Sequence, residues 1–328
     1  MKLGCALPLL ALFVAFGLPP ARAAVSAPDR LNVRGKNYVR LADWARDNDL
    51  QWRWIDREKT LQAGNNSTKL GFVVDSCEAR INGVQVSLLF PVAYRDGTVY
   101  LSQLDASTTI KPLLSPAKNL PGNKIKTICL DPGHGGRDPG NMVGSRQEKE
   151  YTLLLAFELR DQLSKAGFKV SLTRTTDAKV DLPARPDLAR RRGADLFVSL
   201  HFNATEIGRN EVKGAETYCL TPAGAPSTNA GGEGAGGWLT GNRYNEKNLL
   251  LAYQVQKALA GKLSVEDRGV KWARWAVLRD AAMPAVLIEA GFMSHPVESK
   301  NIFDPAYRRT MAQAILEGIL AYKRIVER

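Results

Sequence analysis

After residue 124 the chain repeats one pattern, an apolar strand, a loop and a helix, and that alternation leaves few architectures open. Strand-like runs fall at residues 125–130, 169–173, 196–200 and 285–288. Between the first two, Leu154, Leu155, Leu159 and Leu163 recur at helical spacing on one face. Strands alternating with helices build an α/β domain, an open and mostly parallel sheet with helices on both faces. About 200 residues are enough for one such domain with a full core. Residues 124–328 are expected to form it.

The chain of 328 residues has room for a second, smaller unit. Its texture changes near residue 115. Residues 116–123 carry Pro116, Pro121 and Gly122 and are a linker by composition. Residues 24–115 hold two similar stretches, Gly35-Lys36-Asn37-Tyr38-Val39-Arg40-Leu41 and Gly97-Thr98-Val99-Tyr100-Leu101-Ser102-Gln103. Each is a turn, a short strand with a Tyr, then a helix-like segment. Asn82-Gly83 between alternating residues signals a hairpin. A small α+β accessory domain is expected. The segment resembles the domains called copper amine oxidase N-terminal-like, which serve exported proteins as stalks or wall-binding modules. It contains no His, so the resemblance implies neither copper nor oxidase chemistry.

The first residues address the compartment. Lys2 precedes an apolar run over residues 3–18, and Pro19-Pro20 and Ala21-Arg22-Ala23 follow. This is a secretory signal peptide over residues 1–23, cut after Ala23. The run is shorter than the ~18–20 apolar residues of a membrane span. Cys5 lies too early, inside the apolar run, to be a lipoprotein cysteine. The expected product is exported, periplasmic or extracellular, with no membrane span. Lys and Arg number 45 against 33 Asp and Glu, a net charge of +12. Such a balance favours an anionic partner: nucleic acid, acidic lipid, or an anionic polymer such as a cell wall, with export counting against nucleic acid. Cys77, Cys129 and Cys219 remain after processing. An odd count cannot pair fully within one chain, and without a Cys-x-x-Cys spacing these are structural thiols rather than metal ligands.

Three histidines occur in the whole chain. His134 follows the first strand, in Asp131-Pro132-Gly133-His134-Gly135-Gly136. His201 follows another, in Ser199-Leu200-His201-Phe202-Asn203. In open parallel sheets ligands bind outside the carboxyl ends of the strands, so both imidazoles face one rim. Glu289 ends a third strand, and Glu148 precedes the helix that begins near Tyr151 and reaches the same rim. Two imidazoles and a carboxylate, with a position left for water, form the catalytic zinc pattern. A further carboxylate outside the ligand set then serves as general base. His134, Glu148 and His201 are the expected ligands and Glu289 the expected base. Glu150 competes with Glu148 on position alone. His295, before Pro296, is expected to be structural. A nucleotide-binding glycine loop is disfavoured, because Asp138 stands where G-x-G-x-x-G needs its third Gly.

From about Lys124 to Arg328 the chain resembles the zinc-dependent N-acetylmuramoyl-L-alanine amidases of the Amidase_3 class. Asp131-Pro132-Gly133-His134-Gly135-Gly136 is similar to the first metal motif. Glu148-Lys149 is similar to the ligand Glu and its usual Lys, which selects Glu148 over Glu150. Thr173-Arg174, Asp177 and Arg185 follow the family's middle stretch. Residues 194–204 resemble the second His motif, and residues 283–292 the motif of the catalytic Glu.

The resemblance implies Zn2+ and hydrolysis of the amide between the lactyl group of N-acetylmuramic acid and L-alanine in peptidoglycan. It also implies a role in wall remodelling and daughter-cell separation. A catalytically inactive wall-binding protein on the same fold is the alternative. Some exported relatives carry an inhibitory helix over the metal. Here residues 221–242 are too rich in Gly for a stable helix, and a loop or lid is expected, with Glu233 its one group able to cover a metal. The first domain does not resemble the amidase N-terminal domain of many relatives, so it is expected to bind the wall or an activator protein in its own way.

Overall fold

A computed structural model describes residues 30–230 and 236–327. The expected signal peptide, and Glu233 in the expected lid, lie outside the described residues. The first part runs β1 (Arg30–Val33), β2 (Lys36–Arg40), α1 (Leu41–Asp47), β3 (Gln51–Asp56), β4 (Thr60–Gly64), β5 (Lys69–Val73), β6 (Glu78–Ile81), β7 (Val84–Ser87), β8 (Ala93–Arg95), β9 (Thr98–Ser102). A π-helical stretch, Asp105–Ile110, leads into α2 (Lys111–Leu114). The second part runs β10 (Thr127–Pro132), β11 (Met142–Val143), β12 (Arg146–Gln147), α3 (Glu148–Lys165), β13 (Lys169–Leu172), α4 (Ala184–Arg191), β14 (Leu196–Asn203), β15 (Ala215–Leu220). It closes with α5 (Asn245–Leu263), β16 (Asp267–Ala273), α6 (Ala276–Arg279), β17 (Ala285–Phe292), α7 (Pro296–Phe303) and α8 (Pro305–Val326).

The expected α/β sheet is present. β13, β10, β14 and β17 pair in parallel, β15 joins β17 antiparallel, and β16 joins β15 in parallel. Strands buried on both faces read as continuous apolar runs, and Leu196, Phe197, Val198 and Leu200 of β14 are each 0% exposed. One face packs on α3, α5 and α8 through Leu155, Leu159, Ile288, Val255 and Ile315. The other packs on α4 and α6 through Phe197, Leu287, Ala189 and Val277. The strands run further than their apolar cores suggest. β10 continues to Pro132, while His201 and Glu289 lie inside β14 and β17 rather than at their ends. The β14–β17 register shifts between His201 and Asn203, as at a bulge.

The small α+β segment also forms. The two similar stretches become β2 and β9, which pair antiparallel, each followed by helix. Asn82 and Gly83 take φ of 48° and 88° and close the β6–β7 hairpin. Its strands β3 to β7 form an antiparallel meander that continues the large sheet, for β7 pairs with β16 at Val86 and Val270. The Tyr253 hydroxyl donates to Ile81 O at 2.9 Å, the Trp272 indole to Ser87 O at 2.6 Å, and Gln85 N to Asp267 Oδ2 at 2.8 Å. Residues 116–123 are not contact-free either. Asn119 N donates to Val326 O, Lys118 Nζ to Ile325 O, and Lys247 Nζ to Asn119 Oδ1. Composition marks where a chain turns, not whether its polar groups find partners.

Cys77, Cys129 and Cys219 are free thiols. Burial pushes Cys129 up to about 11 and raises Cys219 further, so both are inert packing groups.

Candidate metal centre and catalytic cleft

His134, Glu148 and His201 converge, with one ligand atom of each within 4.8 Å of the others. Three different elements supply them: the loop after β10, the first turn of α3, and β14. Helix α3 begins at Glu148 itself, not near Tyr151, because the β11–β12 hairpin delivers the chain directly into it. Glu148 is 1% exposed. Its Oε1 lies 3.1 Å from His134 Nε2 and 3.0 Å from His201 Nδ1, and accepts Phe202 N at 3.0 Å. Its Oε2 accepts the backbone and side-chain N–H groups of Asn141 at 2.9 and 3.0 Å. Burial alone would raise its carboxyl. The hydrogen bonds and charges of the two imidazoles win and hold it well below the usual range. The opposite holds at His134, where burial lowers and the hydrogen bonds and charges of Glu148 and Asp138 raise, with a net rise. Asp138 Oδ2 is 2.9 Å from His134 Nδ1 and fixes the ring. Glu150, the competing carboxylate, is not among the grouped donors, and His295 caps α7, accepting Glu298 N through Nδ1.

Two glycines pack closely against this group. A Cβ on Gly133 would stand 2.2 Å from His201 Cε1, and one on Gly140, at φ 66°, would stand 2.6 Å from Glu148 Oε2. His134 itself has φ 60°, a conformation L-residues adopt at a cost of roughly 1–2 kcal/mol.

Two buried arginines hold that loop in place. Arg174 donates to Pro132 O and Gly133 O, and also to Lys149 O at the start of α3. Arg185 donates to Pro132 O and His134 O, and pairs with buried Asp131 at 2.8 Å. Asp131 accepts the Thr173 and Ser199 hydroxyls as well. Lys149 ties Gly136 O to Asp177, whose other oxygen accepts Gly136 N. Removing the Arg185 charge leaves Asp131 buried without its cation. We expect Arg185→Met to cost about 3–5 kcal/mol in urea unfolding.

Glu289 stands beside His201 in register, with Glu216 opposite it on β15. It lines a cleft of ≈ 310 Å³ with the three grouped residues, and Leu182, Trp275 and Leu287 form the apolar wall. Its Oε2 is buried and has no hydrogen-bond partner among the described residues. Burial, then the charges of Glu148 and Glu216, push its carboxyl well above the ordinary value. Glu216 carries its own cations, Arg268 and Lys271, and accepts the Tyr218 hydroxyl. The motif residues thus meet in one cleft. Sequence reasoning missed Asn141, Asp138 and the Asp131–Arg185 pair, which take part as hydrogen-bond partners.

Comparison with known proteins fits this geometry. The N-acetylmuramoyl-L-alanine amidase family, Amidase_3, matches residues 128–321. The chain belongs to this family. It is 35% identical over 218 residues to the N-acetylmuramoyl-L-alanine amidase AmiC of Neisseria meningitidis, covering 60% of this chain and 52% of that one. It is 33% identical over 199 residues to LytC of Bacillus subtilis, covering 61% and 36%. The chain therefore spans about half or less of the length of these two relatives. Among solved structures, the amidase of Clostridium difficile 630 superposes with a TM-score of 0.51 at 33% identity, over 61% of this chain and 97% of that one. AmiC2 of Nostoc punctiforme gives 0.51 at 29%, over 62% and 99%. The CwlD amidase of Clostridioides difficile, solved in complex with the GerS lipoprotein, gives 0.51 at 29%, over 61% and 99%.

Proposed function

We propose that this protein is an exported zinc amidase that hydrolyses the bond between the lactyl carbonyl of N-acetylmuramic acid and L-alanine in peptidoglycan. The carrying observation is the convergence of two imidazoles and one buried carboxylate beside an unpartnered Glu289. The donor set fits zinc, being two nitrogens and one oxygen with room for water on the cleft side. His134, Glu148 and His201 would hold the ion. Zinc held there would supply Lewis acidity toward a water and toward the amide carbonyl.

The chain's own groups supply the rest. Glu289 accepts the proton of the attacking water and passes it to the departing alanine nitrogen, so the C–N bond breaks to a lactyl carboxylate and a free amine. Asp138 keeps His134 in one orientation, and Asn141 does the same for Glu148. Trp275 and Leu182 form an apolar flank on one side of the cleft. Wall remodelling and daughter-cell separation are the fitting roles, at a periplasmic or extracellular site. The relatives named probable cell wall amidases support that site. Among the described residues no helix is long and apolar enough to cross a membrane. Residues 24–115 remain the proposed wall-binding or activator-binding part.

Mass spectrometry of muropeptides released from purified sacculi tests the chemistry. Free stem peptides beginning in L-alanine support it. A zinc-loaded protein that binds sacculi and releases nothing would be the inactive wall binder instead.

His134→Ala and His201→Ala should each lower zinc content together with turnover, and a chelator should inactivate the wild type reversibly. Metal analysis of the purified variants checks this, and full zinc in both would remove these histidines from the ligand set.

A further inference from the structure

The meander of the first part has one face on the core and one face uncovered. Leu61, Phe72, Ala79 and Val86 are buried in the core. The residues between them point the other way. In register across the five strands stand Arg53, Gln62, Gly71, Arg80 and Gln85. Gly71, at the centre, leaves a trough of ≈ 360 Å³ whose floor is mostly apolar, with Ile55 and Val73 in its wall and Gln62, Lys69, Arg80 and Gln85 along it; Arg53 stands on the same face outside the trough. Among the described residues no carboxylate pairs with Arg53, Lys69 or Arg80. Arg40, Arg46, Arg57, Lys59 and Arg95 of the same segment have acidic partners, while Arg80 donates only to Gly83 O and Gln85 Oε1 of its own hairpin, at 3.3 and 3.5 Å. Glu78 is the one acidic residue lining the trough.

This face continues into the catalytic cleft. Val86 and Val270 pair in the core, so Gln85 on β7 and Lys271 on β16 share the opposite face. Lys271 stands in register with Tyr218, and its ammonium meets Glu216, which is opposite Glu289. From β17 to β5 is five strand spacings, about 24 Å at ~4.8 Å each. That is polymer scale, beyond the reach of a single sugar–peptide unit seated at Glu289.

We infer that the Arg53–Arg80 face is an exosite for the anionic glycan–peptide polymer, engaging carboxylates of neighbouring stems while one stem lies in the cleft. The inference rests on the amidase reading for the identity of the polymer. Charge complementarity and continuity with the cleft select this occupant over a protein partner. The face offers donors along a register row rather than in a closed pocket, as a repeating chain requires.

The test uses the zinc-loaded full chain and two variants. One is the triple charge reversal Arg53→Glu, Lys69→Glu, Arg80→Glu. The other is Gly71→Val, which adds a strand-favouring side chain to the trough and whose Cβ would stand 3.9 Å from Arg80 Cβ, an ordinary contact. Co-sedimentation with purified sacculi is expected to weaken about tenfold or more in the triple variant, with the difference shrinking at high salt. The KM on sacculi should rise in step. Turnover of a small soluble muramoyl peptide should stay unchanged in both variants. Gly71→Val should weaken sacculus binding without a change in charge. Wild-type sacculus binding in both variants overturns the exosite. So does a loss confined to phosphatidylglycerol vesicles, which would make the face a membrane contact. If no form of the protein hydrolyses the soluble peptide, the amidase reading fails by itself, while the binding comparison still decides the exosite.

Discussion

Glu289→Gln should leave a folded, metal-competent protein whose hydrolysis falls by about 10²–10⁴-fold, the usual worth of a positioned general base. The structure says why the change is clean. Glu289 is not one of the three grouped donors, so zinc content should stay at the wild-type level. Its Oε2 has no hydrogen bond to lose among the described residues. The substitution also removes a carboxylate from between Glu148 and Glu216, whose charges oppose its ionisation, so the melting temperature should not drop. Gln keeps the shape but cannot take a proton from water. Turnover on a soluble muramoyl peptide, measured with zinc content and a thermal melt on the same preparation, is the check. Wild-type turnover in a zinc-loaded Gln variant would mean that another group is the base.

What could be read in the sequence was set by how locally each feature is encoded. The α/β sheet was legible because buried parallel strands such as 196–200 are apolar runs and α3 carries Leu155, Leu159 and Leu163 at one face. The Asn82-Gly83 hairpin was legible because its two positive φ angles demand those residue types. The grouping of His134, Glu148 and His201 was legible because the chain has three histidines and two of them follow apolar runs, although His201 lies inside its strand. Glu148 over Glu150 was not decided by position, since both lie in the first turn of α3; in space Glu148 is the one grouped with the two imidazoles, seated by the Asn141 and Phe202 N–H groups. The Asp131–Arg185 pair was hidden for a different reason. Its members are 54 residues apart, and only folding brings one carboxylate under the loop that the other's guanidinium clamps. The sheet's extension through β7 was hidden likewise, because a single pairing of Val86 with Val270 leaves no mark in composition.

That extension governs the fate of a chain cut down to residues 116–328. Relatives of the catalytic part fold without such a segment, as the coverage of 97% of the Clostridium difficile 630 structure implies. If residues 24–115 were a detachable accessory, as the linker-like composition suggests, the cut chain would keep its turnover. In this chain, however, the flank of the catalytic half is built for burial. Trp272 is 1% exposed and gives its indole N–H to Ser87 O, Val270 is 0% exposed against Val86, and Tyr253 gives its hydroxyl to Ile81 O. Uncovering three such side chains forfeits roughly 1.5–3 kcal/mol each, against a total stability of about 5–15 kcal/mol for a domain. The cut chain is therefore expected to be insoluble or to lack fixed packing, seen as lost near-ultraviolet circular dichroism. The same truncation carrying Trp272→Gln and Val270→Thr presents a polar flank to water and should recover solubility, with turnover on the small soluble peptide restored, because His134, Glu148, His201 and Glu289 all lie beyond the cut. Full solubility and turnover in the unmodified truncation would show that the shared sheet contributes little and that residues 24–115 are detachable after all.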